Sequence, residues 1–244
     1  MSQYDPIASA YRDIVAHTDL MASFDEHSWL QACGDITGLH VLDLGCGTGL
    51  TSRALARSGA HVVGVDQSQM MIEEAQLAEH QNPLGILYLQ HDAAALPHLG
   101  DFDLVAPTYL LHYARSRAEL TAFAQGIARN LKPGGRIVGM NNNPNQPVSR
   151  RVPNALSFEE WEDEPFVEGS RIKVHLLGGD GHQEVTFFTR FWRKQTYEDV
   201  LHQAGFVEIA WIPMHISAEG RQYFANWQEL EAVNSTILIT ARKA

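Results

Sequence analysis

The chain has little of what would tie it to an oxidising compartment, a membrane or a polyanion. Two of its 244 residues are cysteine, Cys33 and Cys46, too few for a disulfide framework and in keeping with a reducing compartment. No apolar run approaches the ~20 residues needed to cross a bilayer. The opening Met1-Ser2-Gln3-Tyr4-Asp5-Pro6 lacks the basic start and apolar stretch of a secretory signal. Basic residues are scarce: 18 Lys and Arg against 29 Asp and Glu leave a formal net charge of -11, the wrong sign for holding nucleic acid. Twelve histidines are present, yet none shows H-E-x-x-H spacing, so no metal is expected. What remains is an ordinary globular composition, 45% hydrophobic and 19% charged. The expectation is a cytoplasmic enzyme or binding domain, monomer or homodimer, with no membrane or nucleic-acid partner.

Along the first half, strand-like and helix-like segments alternate. Strands are expected at Val41–Leu44, His61–Asp66, Ile86–Gln90, Phe102–Ala106 and Arg136–Met140. Helices are expected at Leu50–Arg57, from a Ser68 cap to about His80, and at Glu119–Leu131, closed by Lys132-Pro133-Gly134-Gly135. Such alternation predicts an α/β fold, a mostly parallel sheet with helices on both faces, whose carboxyl strand ends share one ligand-binding edge. After Met140 the rhythm changes. Arg171–Leu177 and Gln183–Trp192 flank Gly178-Gly179-Asp180-Gly181 and read as an antiparallel hairpin. Thr196 then caps a helix to Ala204-Gly205, and Val207–Ile212 and Thr236–Ala241 are the last of seven sheet strands. The chain is read as one domain: 1–38 a helical lid, 39–140 a core, 141–195 a substrate-side insertion, and 196–244 the final helix and strands.

Directly after the first strand stands Gly45-Cys46-Gly47-Thr48-Gly49. Glycines in that place let main-chain N–H groups approach a ligand with no Cβ between them. A dinucleotide loop has the spacing G-x-G-x-x-G, but here Leu50 holds its third glycine position, which argues against a nicotinamide oxidoreductase. Asp43, inside the strand, needs a partner for its carboxylate. Asp66 ends the second strand, about twenty residues on, where an acid can accept from both hydroxyls of a ribose. Asp92 follows the third strand, placed to accept from an adenine amine. Turn or cap roles explain either acid alone, but the ordered set behind such a loop points to an adenine nucleoside.

The pieces "VLDLGCGTG", "VVGVDQSQMM", "LQHDAAALP", "FDLVAPTYLLHY", "NLKPGGRIV" and "AGF" resemble the class I S-adenosylmethionine-dependent methyltransferases of small-molecule type. The likeness covers roughly Val41 to Gly139 and the final strands. It implies a Rossmann-like fold, S-adenosylmethionine as cofactor and a small-molecule substrate. By that resemblance Gly45, Cys46, Gly47 and Gly49 would carry the methionine part, with Asp43 near its ammonium. Asp66, beside Gln67, would hold the ribose, Met71 the adenine face, and Asp92 with Ala93 the adenine edge. Pro107 and Thr108 would help fix the amine, Pro107 through its carbonyl only. "YDPIASAYRDI" looks like the lid helix, with Tyr11, then Tyr4, as the tyrosine near the sulfonium.

Methyl transfer needs alignment more than a dedicated catalytic group. His112 and His175 are candidate bases, since histidine titrates near neutrality. A capping or packing role explains His112 equally, and an exposed strand position explains His175. Tyr109 could orient a substrate and Asn141 could bond a polar one. The insertion is rich in aromatics, among them Phe158, Trp161, Phe166, Phe187, Phe188, Phe191 and Trp192. Alternation puts Phe188 and Trp192 on one face and Phe187 and Phe191 on the other, so Trp161, Phe188 and Trp192 are expected to line an apolar pocket. The acidic run from Glu159 to Glu164 is expected to be a solvated helix start. The resemblance implies transfer to a nitrogen or oxygen of the substrate; a quinone-type C-methyltransferase, which shares much of the core, is one alternative, and a methyltransferase-like module that binds without catalysing is another.

Overall fold

In the computed structural model, residues 2–16, 26–145, 157–162, 164, 167–177, 184–232 and 236–244 are described. Strand β1 (His40–Leu44) has Val41, Leu42, Asp43 and Leu44 all fully buried, as a parallel strand covered by helices on both faces must be. Parallel to it run β2 (His61–Asp66), β3 (Leu87–Gln90), β4 (Phe102–Ala106) and β5 (Leu131–Asn142). Two further strands, β9 (Phe206–Pro213) and β10 (Thr236–Lys243), complete a seven-stranded sheet of order β3-β2-β1-β4-β5-β10-β9. Strand β10 alone runs opposite to the other six, pairing antiparallel with β5 and β9.

Helices cover both faces. Beneath one face, α2 (His27–Cys33) and α3 (Leu50–Arg57) bring Trp29 and Leu55 against Val41, Val62 and Met140. On the other, α5 (Arg117–Asn130) and α6 (Lys194–Gln203) pack Phe123, Ile127, Tyr197 and Leu201 against Leu42, Val105 and Ile239. Helix α4 (Gln69–Gln81) starts where expected, its Ser68 hydroxyl accepting from Met71 N at 3.2 Å, a cap that satisfies an otherwise orphaned amide. Helix α1 (Ala8–Ala16) lies over the carboxyl edge and bonds α4 through Arg12 and Glu74. Helix α2 packs beneath the sheet instead, where Trp29 Nε1 donates to Val138 O at 2.9 Å.

The insertion departs from a simple hairpin. It is a three-stranded antiparallel sheet, β6 (Ser157–Trp161), β7 (Arg171–Leu177) and β8 (Glu184–Arg190), with β7 central. The acidic run is therefore strand up to Trp161, and not a helix start. Cross-strand pairing is the reason: Glu160 bonds His175 Nε2 at 2.9 Å and Glu162 meets Arg171 at 3.2 Å. His175, expected to be exposed, is buried. Its other nitrogen bonds Glu184 at 2.6 Å, and its ring stacks on Phe158 with centroids 4.3 Å apart. The 178–181 turn and Phe166 fall outside the described residues.

Three boundaries also differ. Helix α5 begins earlier, at Arg117, and stops at Asn130; Lys132-Pro133-Gly134-Gly135 already belongs to β5. Lys132 there bonds Asp103 of β4 at 2.6 Å. Thr196 lies inside α6 and does not cap it. The cap is tertiary: Glu168, before β7, accepts from Arg193 N at 3.0 Å and from the Thr196 hydroxyl. Between β9 and β10 two short helices intervene, α7 (Gly220–Tyr223) and α8 (Trp227–Ala232).

Candidate active site

The strand order reverses between β1 and β4, and a ligand crevice opens at such a point beyond the carboxyl ends. The loop there turns on Gly45, Gly47 and Gly49, at φ 84°, 53° and 86°, backbones that side-chain-bearing residues avoid. Gly45 N and Cys46 N donate to Val65 O at 2.7 and 3.0 Å, tying the loop to β2. Gly49 has a packing reason: a Cβ there would meet the Tyr88 hydroxyl and stand 3.1 Å from Ala75 Cβ. Gly47 has none, since nothing among the described residues lies within 4 Å of where its Cβ would be. Its main chain faces open space.

Two acids fix this loop. Asp43, fully buried, accepts from Ser52 Oγ at 2.6 Å, Thr51 Oγ1 at 2.7 Å and Thr108 Oγ1 at 3.3 Å. Burial pushes its carboxyl up to about 6, against the pull of those hydroxyls. Asp43 thus joins β1, α3 and the end of β4. Asp66 accepts from Gly47 N at 3.0 Å and Ser68 N at 2.8 Å, and burial raises it too despite those amides. Nearby, Gln67 is exposed and Met71 buried under the start of α4. Asp92 is exposed and caps a short 3-10 turn, accepting from Ala94 N at 2.8 Å, with Ala93 buried behind it. The Cys46 thiol is buried and pushed well above its usual range by desolvation, so it is no nucleophile. The Pro107 carbonyl lies against Gly139, where a Cβ would come within 2.6 Å of it.

Across the cleft stands a cluster of rings. Tyr4, Tyr11, Tyr113 and Phe187 have centroids 5.4 to 6.4 Å apart, and the Tyr4 and Tyr113 hydroxyls bond each other. Burial raises both hydroxyls, and Asp5, next to Tyr4, accepts from Ser68 Oγ at 2.6 Å while the Ser68 amide donates to Asp66, so the ring cluster adjoins the cofactor edge. His112 is buried beside Tyr113, ring centroids 4.7 Å apart. Its Nδ1 lies 3.2 Å from Asn141 Oδ1 and 3.3 Å from Asn142 N. Nε2 makes no hydrogen bond among the described residues. Burial lowers the ring to about 4, so it is neutral at pH 7.

The other substrate-side candidates divide. Asn141 is fully buried and orients His112 while its Nδ2 donates to Asn142 O at 2.9 Å. Tyr109, at the strained φ of 51°, is held by Met140 O at 2.8 Å and reaches Thr236 Oγ1 at 3.4 Å. Trp161 packs near Phe191 on the inner side of the inserted sheet, centroids 5.5 Å apart. Phe188 does not join the cluster. It lies on the outer face under the Arg171 guanidinium, 4.1 Å away, while Phe187 points inward. Trp192 is buried among α5 and α6 residues, and its Nε1 donates to Ala114 O at 3.1 Å. The site also draws on residues not singled out from sequence: Tyr113, whose position in "YLLHY" was a signal, and Gln3 and Asp5, which carried none.

Residues 41–135 match the family described as Methyltransferase domain. The CcbJ methyltransferase of Streptomyces caelestis shares the fold at TM-score 0.70 and 19% identity, over 98% of this chain and 97% of that one. With the glycine loop and the acids beside it, the matched segment and the shared fold make this core similar to the class I S-adenosylmethionine-dependent methyltransferases. Among curated relatives, the demethylmenaquinone methyltransferase of Lactococcus lactis is 35% identical over 61% of each chain. The ubiquinone biosynthesis O-methyltransferase of a Chelativorans species is also 35% identical, over 55% of this chain and 50% of its own. The chain spans about half to three fifths of the length of these relatives. Among the described residues no group of His, Cys, Asp or Glu is placed to hold a metal ion, and no helix is long and apolar enough to cross a membrane.

Proposed function

We propose that this protein is a cytoplasmic enzyme that transfers the methyl group of S-adenosylmethionine to a nitrogen or oxygen of a small, flat molecule. The observation that carries the reading is the open backbone at Gly47 beside Asp66. The residues fit the cofactor: bare main chain for its amino-acid part and a half-buried acid for its ribose. When bound, the cofactor supplies an activated methyl group. The chain's own work is to align and to exclude water, which can contribute ~7–11 kcal/mol. Tyr4, Tyr11, Tyr113 and Phe187 offer apolar faces to a planar acceptor. His112, neutral and with Nδ1 held between Asn141 Oδ1 and Asn142 N, turns its Nε2 to the acceptor and orients the acceptor's polar group. At about 4 the imidazole is a weak base, so it positions the acceptor, whose proton leaves to solvent. A heteroaromatic such as an azapteridine of the toxoflavin type suits these walls.

A second reading has support in the two curated relatives, both named for quinone pathways: the acceptor is a quinol, methylated on oxygen or on ring carbon. One experiment separates them. The enzyme is incubated with methyl-labelled cofactor and a metabolite mixture, and the product is assigned by mass spectrometry and carbon NMR. A label on nitrogen or oxygen of a heteroaromatic supports the first reading; a label on a quinol ring supports the second. Asp66→Ala is expected to weaken S-adenosylhomocysteine binding by about 1.5–3 kcal/mol, the scale of hydrogen bonds to a charged group. Unchanged affinity in a calorimetric titration removes Asp66 from the ribose, and a folded wild type with no affinity at all leaves a module of another kind.

A further inference from the structure

Residues 2–7 cross the open edge of the sheet as a run of turns, and three consecutive side chains grip three different elements. The Gln3 amide imitates a strand: Nε2 donates to Phe188 O at 3.0 Å and Oε1 accepts from Phe188 N at 2.9 Å. Strand β8 is an edge of its sheet, so Gln3 satisfies main-chain groups that the ladder leaves open. Tyr4 is half-buried among Tyr11, Tyr113 and Phe187, its hydroxyl on Tyr113. Asp5 Oδ1 accepts from Ser68 Oγ at 2.6 Å, and Ser68 is the residue whose amide binds Asp66. One short segment therefore ties the inserted sheet to the start of α4, across the mouth of the cleft. Tyr4 sits one residue from each anchor, so neither anchor can move far without moving its ring.

We propose that Gln3 and Asp5 are positioning residues that strap Tyr4 against Tyr113, and that this strap opens and closes as one unit over the nucleoside held at Asp66. The role of Asp66 rests on the function proposed above; the strap itself is a property of the chain. Independent surface contacts would each affect only their own partner. A single strap makes the two ends report on each other. Exchange of the nucleoside then waits on release of the strap.

The test begins on the protein without cofactor, by amide hydrogen exchange. Asp5→Ala is expected to speed exchange at the Phe188 amide by about tenfold, the lower end of one hydrogen bond to a charged group, although Asp5 does not touch Phe188. Exchange at Leu42 in β1, which reports the global fold, stays unchanged. Asp5→Asn, which keeps an acceptor for the Ser68 hydroxyl, restores slow exchange. With S-adenosylhomocysteine, Gln3→Ala and Asp5→Ala each speed dissociation in stopped flow, and the double variant is no faster than the faster single. A Phe188 amide indifferent to Asp5→Ala, or dissociation effects that multiply in the double variant, overturns the strap. If wild type binds no S-adenosylhomocysteine, the proposed function falls while the exchange result still decides the strap.

Discussion

Along the cofactor edge, each buried or half-buried acid is answered by directed hydrogen bonds: Asp43 by hydroxyls eight, nine and sixty-five residues away, Asp66 by the Gly47 and Ser68 amides. Across the cleft the acceptor side is assembled from rings on the N-terminal segment, the turn after β4 and the inserted sheet. The first region is a rigid frame whose hydrogen bonds fix a loop to three elements of the sheet layer. The second coheres by apolar contact between segments that meet only in the folded chain. A frame of the first kind tolerates almost no added volume, whereas contact of the second kind can re-form around different acceptors.

The largest expected effect tests whether the frame has one tolerant point. Gly49→Ala combines a left-handed backbone, costing about 1–2 kcal/mol, with overpacking against Tyr88 and Ala75 that typically adds ~1–3 kcal/mol. Its urea midpoint should fall accordingly. Gly47→Ala carries the backbone cost alone, yet its new methyl projects into the open space and is expected to abolish S-adenosylhomocysteine binding. Equal losses of stability at the two positions would mean that the space beside Gly47 is not reserved for a ligand.

Next in size is a pH effect with opposite signs in the two regions. The Asp43 carboxyl is raised from 3.8 to about 6, so the native state keeps a proton that the unfolded chain has released. Its contribution is full below pH 4 and is lost as pH rises to 6. The His112 ring is lowered from 6.5 to about 4, so the unfolded chain takes up a proton first. Its contribution is full above pH 6.5 and is lost as pH falls to 4. Each is about 3 kcal/mol at ~1.36 kcal/mol per unit, and in the wild type they largely cancel. Asp43→Asn should therefore leave stability rising with pH between 4.5 and 6.5, and His112→Gln should leave it falling. Urea titrations at those two pH values that show parallel slopes for both variants would show that the two groups do not oppose each other.

The same division decides what could be read in advance. The glycine loop, Asp66, Ser68 and the parallel strands were legible because their signals are local: apolar runs, a cap, and carboxylates at strand ends. That His112 follows β4 was legible in the same way, but its neutrality follows from burial by neighbours distant in sequence. The inserted sheet resisted reading for a related reason. Strand β6 looks like a helix start until Lys173, His175 and Arg171 stand opposite its glutamates. Strict alternation through Phe187, Phe188, Phe191 and Trp192 fails because β8 ends at Arg190. Beyond that point the chain turns and delivers Trp192 to the core beneath α5.

The smallest expected effect checks that turn. Phe188 faces outward beneath Arg171, a contact worth ~0.5–1 kcal/mol at an exposed site, and its main chain rather than its ring holds Gln3. Phe188→Ala should lower stability by no more than about 1 kcal/mol and leave the acceptor KM nearly unaltered. Phe187→Leu removes a ring from contact with Tyr4, Tyr11 and Tyr113 and should raise that KM clearly, with cofactor affinity little changed. Steady-state kinetics with the acceptor varied distinguish the two. If Phe188→Ala proves the more damaging to KM, the inserted sheet presents its other face to the acceptor, and the neutral, aromatic character assigned to that side of the cleft would have to be exchanged for the charged face carrying Lys173, Glu160 and Arg171.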